Sequence, residues 1–424
     1  MEREARALPV EYPPDEREVH ALLSRFAALR RRRMTALRGR KAADLVTLLL
    51  KKRLFSSPRA FGHTAGVYLE TLRSRTHAAG AADSDIVPEW LEGFFDDVSA
   101  LDDEQLVDAE DDALGRSGRL QAEATADEIG LLREMETWAI RHDARPDAKA
   151  RELIDYLKAV CRPDGENWTN ERVVVFTEYR DTQMWLADLL RQEGLAGLRL
   201  AQLYGGLEAD RREQLRLTFQ ADPAEHPVRI LLATDAAGEG IDLHEQCYRL
   251  VNYDIPFNPN KLEQRIGRVD RYGQRHTPEI RHFIGVVRGG AADPYEADLE
   301  FLARVATKVA RMEEDLGRVN AVLADAVQRR MLGEIGDFDV DRAAARQAGR
   351  RRAAGSGTVA ADRGVRDQVV RLRRDLDKPS RSCGSPRRTC TAWWPPPWSS
   401  TASGRCGRAS TNSTSPMGCT RCRR

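Results

Sequence analysis

Cysteine is nearly absent from the body of this sequence. Only Cys161 and Cys247 occur before position 380. That scarcity excludes a disulfide scaffold and points to a reduced, cytoplasmic setting. No apolar run approaches the ~18 residues that cross a bilayer, so no membrane contact is expected. The opening MEREARALPV is charged and has no apolar h-region, so no signal peptide is expected. Excess charge is missing as well: 67 basic residues face 66 acidic ones. Net charge therefore names no partner. The eight histidines show no metal-ligand spacing, and no metal site is expected. The sequence also lacks a Gly-rich phosphate loop ending in Gly-Lys-Thr or Gly-Lys-Ser. Gly39-Arg40-Lys41 follows no strand and leads into Ala42.

Charge is present in blocks. Arg25 to Arg53 holds eleven basic residues and one acidic residue. Glu92 to Asp112 holds ten acidic residues and no basic ones. Separate basic and acidic segments in one chain suit a protein that meets a polyanion. Helical spacing of Val19, Leu22, Leu23 and Phe26, then of Leu45, Leu48, Leu49 and Leu54, predicts helices over 15–77. Arg30 to Arg33, Arg38, Arg40 and Lys41 could lie against phosphates, or could be a solvated helix face. Ser56-Ser57-Pro58 marks a helix boundary with a new start.

Residues 80–128 are acidic and rich in Gly and Ala, which reads as a solvated insertion or linker. Leu101-Asp102-Asp103-Glu104 follows no apolar strand, so it does not read as a magnesium-holding acidic pair. Two more helices follow over 129–160, separated at Pro146. One long helix is expected over 295–334, most simply a packing helix, and weak helix over 341–377. Residues 379–424 contain no Asp, Glu, Ile, Leu or Val, yet hold three of seven Trp and five of seven Cys. Without aliphatics no core can offset chain entropy, so a disordered tail is expected, and its composition fits out-of-frame translation. Cys419 and Cys422 have zinc-pair spacing but no matching second pair.

From Arg172 short apolar strands alternate with helices. Strands are expected at 173–176, 198–203, 228–233, 249–253 and 280–287, with helices at 182–192, 210–219 and 259–269. Such alternation implies an α/β fold with a parallel sheet covered by helices on both faces. Within it, Thr234-Asp235-Ala236-Ala237-Gly238-Glu239-Gly240-Ile241-Asp242 is a small-residue turn after a buried strand. Gly at 238 and 240 lets backbone approach a ligand, although alone the pair could be an ordinary strand-to-helix turn. Gln264, Arg268 and Arg271 are spaced four and three apart, so they share one face if the helix continues that far. A glutamine and two arginines beside a Gly-rich turn suit the holding of a triphosphate. Taken alone, Arg265, Arg268 and Arg271 could be a solvated basic face.

Four ordered segments carry a resemblance: VVVFTEYRDT (173–182), LYGGLEADRREQLRLTF (203–219), LLATDAAGEGIDL (231–243) and EQRIGRVDRYGQ (263–274). Together they resemble the second RecA-like lobe of superfamily-two helicases, specifically the Swi/Snf-type group. KKRLFSSPRAF (51–61) is similar to the connector between lobes in RapA-like bacterial members. The chain also resembles the Swi/Snf-type helicases of DISARM anti-phage islands. The resemblance implies a helical inter-lobe segment with an acidic linker over 1–128, the C-terminal lobe over 129–290, a helical extension over 291–377 and the tail over 378–424. It implies that Arg268 and Arg271 reach a γ-phosphate, with Gly238, Gly240, Asp242 and Gln264 at the nucleotide. It implies that Thr177 and Thr234 face a nucleic-acid backbone, joined by Tyr179, Arg180 and Arg211. The implied cofactors are ATP and Mg2+, the latter held by a first lobe that this sequence does not supply. The implied partner is double-stranded DNA, with RNA an open alternative. Two functions follow: the C-terminal half of an ATP-dependent DNA translocase, or a non-catalytic nucleic-acid-binding or interaction fragment of one.

Overall fold

The computed structural model describes residues 3–74, 85–98, 101–238, 241–286, 293–311 and 317–335. The calls for 341–377 and for the tail, and Gly240 itself, lie outside the described residues.

The strands that sequence marks most clearly lie at the centre of the sheet. β2 (Val173–Thr177, VVVFT) and β4 (Ile230–Thr234, ILLAT) are buried at every position. Successive strand residues point to opposite faces, so complete burial means that both faces of the sheet are covered. β3 (Leu200–Leu203) lies beyond β4, and β5 (Arg249–Asn252) and β6 (Glu279–Gly285) lie on the other side of β2. β1 (Glu4–Val10) completes a six-stranded, wholly parallel sheet in the order β1-β6-β5-β2-β4-β3. Val175 stands opposite Leu232 on one side and Val251 on the other. This is an α/β fold built on a parallel sheet covered on both faces.

β1 was not expected. Its register places Glu4 opposite Glu279 and Val10 opposite Gly285. Pro9 is tolerated because the strand is an edge, where a missing N–H breaks no ladder on the open side. The pairing joins chain segments that are far apart in sequence, and no local pattern reveals it.

Two apolar cores organise the rest. The first is the sheet core, with Trp185 from α8 (Arg180–Gln192), Leu153 from α7 (Ala148–Cys161) and Leu302 from α12 (Pro294–Arg311). The second is helical. It gathers Leu23 of α1 (Pro14–Arg33), Leu49 of α2 (Leu37–Ser56), Phe61 and Tyr68 of α3 (Pro58–Arg73), and Phe94 of α4 (Glu89–Asp97). Leu114 of α5 (Asp103–Leu120) and Leu132 of α6 (Ala126–His142) complete it. α2 touches both cores, giving Leu48 and Phe55 to the first and Leu45 and Leu49 to the second. Chain starts are encoded locally. Ser57 caps α3 by accepting from the Ala60 N–H, and Pro58 occupies the first turn. Asp102 with Gln105 and Thr125 with Glu128 form capping boxes for α5 and α6.

Several expectations change. The acidic stretch is not a solvated linker over 103–120: it is helix α5, with Leu114 fully buried and Glu110 only 1% exposed. Its acids hid a helical stripe, and Glu110 is tolerated inside because Arg53 meets it. α6 packs in the helical core, whereas residues 4–10 join the sheet. α12 and α13 (Gly317–Met331) are helical within the span expected as one long helix, and residues 312–316 between them lie outside the described residues. Arg30 is buried and donates to Gln121 and Glu128, and Arg33 also donates to Glu128, so these two are occupied within the chain.

Candidate functional site at the carboxyl ends of the strands

Ligands of open α/β sheets bind outside the carboxyl ends of the strands, where strand order reverses. Here β2 sits between β4 and β5, and the three strands end at Thr177, Thr234 and Asn252. The loops leaving them meet α11 (Pro259–Ile266), which is capped by Asn258 with Pro259 in its first turn.

A buried arginine holds this edge together. Arg265 is 2% exposed and donates to Asp235 at 2.5 and 2.9 Å. It also donates to the Asp254 carbonyl at 2.8 Å, the Asp254 carboxylate at 3.2 Å and Asn252 Oδ1 at 3.1 Å. It thus ties α11 to the ends of β4 and β5. Burial raises the Asp235 pKa, and Arg265 opposes that rise. Asp254 also accepts from Thr177 Oγ1 at 2.6 Å, from Ser56 Oγ at 2.7 Å and from the Glu178 N–H at 2.9 Å. Burial would raise Glu178 too, but Lys261 and Lys52 outweigh it and hold the carboxyl below the usual range. These contacts connect α2 to the carboxyl ends of β2 and β5. Asp254 was not singled out from sequence, and Arg265 was read there only with Arg268 and Arg271, as part of a basic helix face. The signal available was an acid two residues past a strand and an arginine on the apolar side of a helix.

α11 ends at Ile266, so Arg268 and Arg271 lie on the turns beyond it rather than on its face. Arg271 nonetheless reaches Asp242, whose carboxylate accepts from its Nη1. The Leu243 N–H donates to the Arg268 carbonyl at 2.9 Å, fastening the same two segments by backbone. Arg271 is half exposed and Asp242 partly so. Gly238 ends the short helix α10 (Asp235–Gly238).

Gln264 is exposed and lines a cavity of about 230 Å³ with Lys261, Glu178, Asp235, Gly205 and Arg212, closed on one side by Asp102 and Asp103. Arg268, Arg271 and Asp242 are not among its lining residues. The structure therefore brings Asp242 and Arg271 together and places Gln264 at a neighbouring cavity.

The residues expected on a nucleic-acid backbone are mostly covered. Thr177 is bonded to Asp254, Thr234 Oγ1 donates to Asp103 at 2.7 Å, and Tyr179 OH donates to Glu110 at 3.2 Å. All three are buried. Arg211 is exposed on α9 (Ala209–Gln220), beside a groove shared with Gln202, Tyr204 and Arg180, whose guanidinium stacks 3.7 Å over the Tyr204 ring.

Residues 148–273 match the helicase conserved C-terminal domain. This stretch is similar to helicase C-terminal lobes. The ATP-dependent helicase YqhH of Bacillus subtilis is 34% identical over 134 residues, which span 32% of this chain and 21% of that protein. The RNA polymerase-associated protein RapA of Yersinia enterocolitica is 35% identical over 134 residues, spanning 32% of this chain and 12% of that protein. The match thus covers about a fifth and about an eighth of these relatives. Among solved structures, the C-terminal part of the Fun30 ATPase domain is 14% identical, covering 78% of this chain and 98% of that one, at a TM-score of 0.40. The SWI2/SNF2 ATPase core of Sulfolobus solfataricus in complex with dsDNA is 15% identical, covering 78% of this chain and 47% of that one, at a TM-score of 0.40. No helix among the described residues is long and apolar enough to cross a membrane.

Proposed function

We propose that this helicase lobe is the C-terminal half of an ATP-dependent DNA translocase, working with a first RecA-like lobe that these residues do not supply. The observation that carries the reading is the return of Arg271 to Asp242, which holds a half-exposed guanidinium at a carboxylate two residues past Gly240 in sequence. A cation held at the rim by one exposed carboxylate is weakly committed, because such pairs are worth little in water. It is free to exchange that carboxylate for a phosphate.

The side chains fit an anion. Arg268 and Arg271 would meet the terminal phosphate of ATP across the cleft beside Asp242, with Gln264 at the neighbouring cavity; the resemblance adds Gly238 and Gly240 to the nucleotide contacts. ATP, when bound with Mg2+, supplies the phosphoryl group whose charge these residues face. The Mg2+ ligands belong to the first lobe. Aligned guanidinium groups stabilise the charge that develops on the transferred group, an effect of about a thousandfold or more. Without the other wall the arginines have no positioned substrate, so this chain alone should hydrolyse ATP negligibly. The Swi/Snf-type resemblance favours travel along a DNA duplex over strand separation.

The test is DNA-stimulated ATP hydrolysis by the chain alone and with a first lobe bearing Gly-Lys-Thr. Activity should require both. Arg268→Ala and Arg271→Ala should each abolish turnover and leave DNA affinity within about twofold, since their task is at the phosphate. Absence of turnover from every combination would refute the motor reading and leave a binding fragment.

A further inference from the structure

The tip of α5 is seated against the lobe by donors that hold a single carboxylate oxygen. Asp103 Oδ2 accepts from the Gly205 N–H at 2.6 Å and from Thr234 Oγ1 at 2.7 Å. Arg212 lines the same cavity and donates to the Gly205 carbonyl at 3.1 Å. Asp102, the cap of α5, lines it as well. The approach depends on glycine: a Cβ at position 205 would stand 3.0 Å from the Asp103 nitrogen and 3.2 Å from Asp102 Cβ.

A main-chain N–H, a hydroxyl and a nearby guanidinium are the donors that fix a nucleic-acid phosphate without reading sequence. A carboxylate oxygen offers them the same charge and the same acceptor. We propose that Asp103 is a resident stand-in for a backbone phosphate: the tip of α5 occupies a seat made by Gly205, Thr234 and Arg212, and must withdraw before nucleic acid can take it. The inference rests on the reading that this lobe binds nucleic acid.

The rest of α5 is anchored further along, through Glu110 to Arg53 and through the buried Leu114. Withdrawal therefore involves the first turn and not the whole helix. Burial raises the Asp103 pKa, with the Gly205 and Thr234 donors opposing, so the seat holds a partly desolvated carboxylate. Such a group is displaced more readily than one that gains from its surroundings.

The experiment measures affinity of the full chain for a short labelled DNA duplex at fixed salt. Asp103→Ala should tighten binding about tenfold, since it removes both a competitor and a like charge. Asp103→Asn, which keeps an acceptor, should tighten it less. Adding Thr234→Val to Asp103→Ala should cancel the gain, because the seat loses a donor. In the unaltered chain, duplex should speed hydrogen exchange in the first turn of α5 and leave residues 110–120 unchanged. If the chain binds duplex but Asp103→Ala binds no tighter, and exchange in that turn is unaltered, the tip is structural and the proposal falls alone. If neither chain binds duplex, the nucleic-acid reading falls with it. Should Asp103→Ala fail to fold, hydrogen exchange on the unaltered chain decides.

Discussion

Arg265→Met is the most demanding test of how the functional edge is built. The substitution keeps much of the side chain's volume and removes its charge. Asp235 and Asp254 remain, with side chains 11% and 6% exposed, and lose their common cation. Asp254 keeps donors from Ser56, Thr177 and the Glu178 N–H, so Asp235 bears most of the loss. Removing one partner of a buried ion pair costs about 3–5 kcal/mol, because the other charge is left uncompensated. At about 2–4 °C per kcal/mol for a domain of this size, the melting temperature should drop by about 10 °C. The deficit should depend on pH in a defined direction. Burial already raises Asp235, and without Arg265 nothing nearby opposes that rise as strongly. A carboxyl whose folded pKa lies above its unfolded value binds protons more tightly when folded, so the variant loses stability as pH rises between those values. The gap to the unaltered protein should therefore narrow as pH falls toward 5. Adding Asp235→Leu should recover part of the loss at neutral pH. Chemical denaturation followed by circular dichroism across pH measures each quantity. A variant within about 1 kcal/mol of the parent at neutral pH would refute the account of Arg265 as the tie between α11 and the strand ends.

Glu16→Gln should remove a pH dependence of stability. Burial, reinforced by Asp147, pushes the Glu16 carboxyl up to about 8. The folded state therefore favours its protonated form, and stability should fall as pH rises from the ordinary carboxylate range through about 8. Glutamine keeps an acceptor for the Ala148 N–H, bonded at 2.9 Å, so denaturation midpoints should flatten between pH 5 and pH 9. An unchanged slope would place the titration elsewhere. Arg53→Ala should cost about 3 kcal/mol in the same assay, because Glu110 loses two bonds at 2.7 and 3.0 Å inside the helical core. A loss below about 1 kcal/mol would mean that Lys52 and Tyr179 suffice to hold Glu110.

Sequence alone determined the elements whose signals are local. The runs VVVFT and ILLAT are apolar at every position, and such strands are stable only when covered on both faces, so the parallel core followed from composition. Ser57-Pro58 announced the start of α3 because a cap and a helix-compatible proline act within one turn. The ordered glycine and arginine segments carried the resemblance to a helicase lobe because their spacing lies within consecutive residues. Tertiary structure decided what depends on distant partners. β1 exists only because β6 offers an open edge to residues from the other end of the described chain. α5 looked like a solvated linker because its charge balance was read without Arg53 and Lys52, which neutralise it inside the fold. Arg265 reads as one more cation in QRIGR, and only the arrival of Asp235 and Asp254 makes it the buried member of the set. Burial and pairing of charge are properties of the folded neighbourhood, and a linear pattern of residues does not contain them.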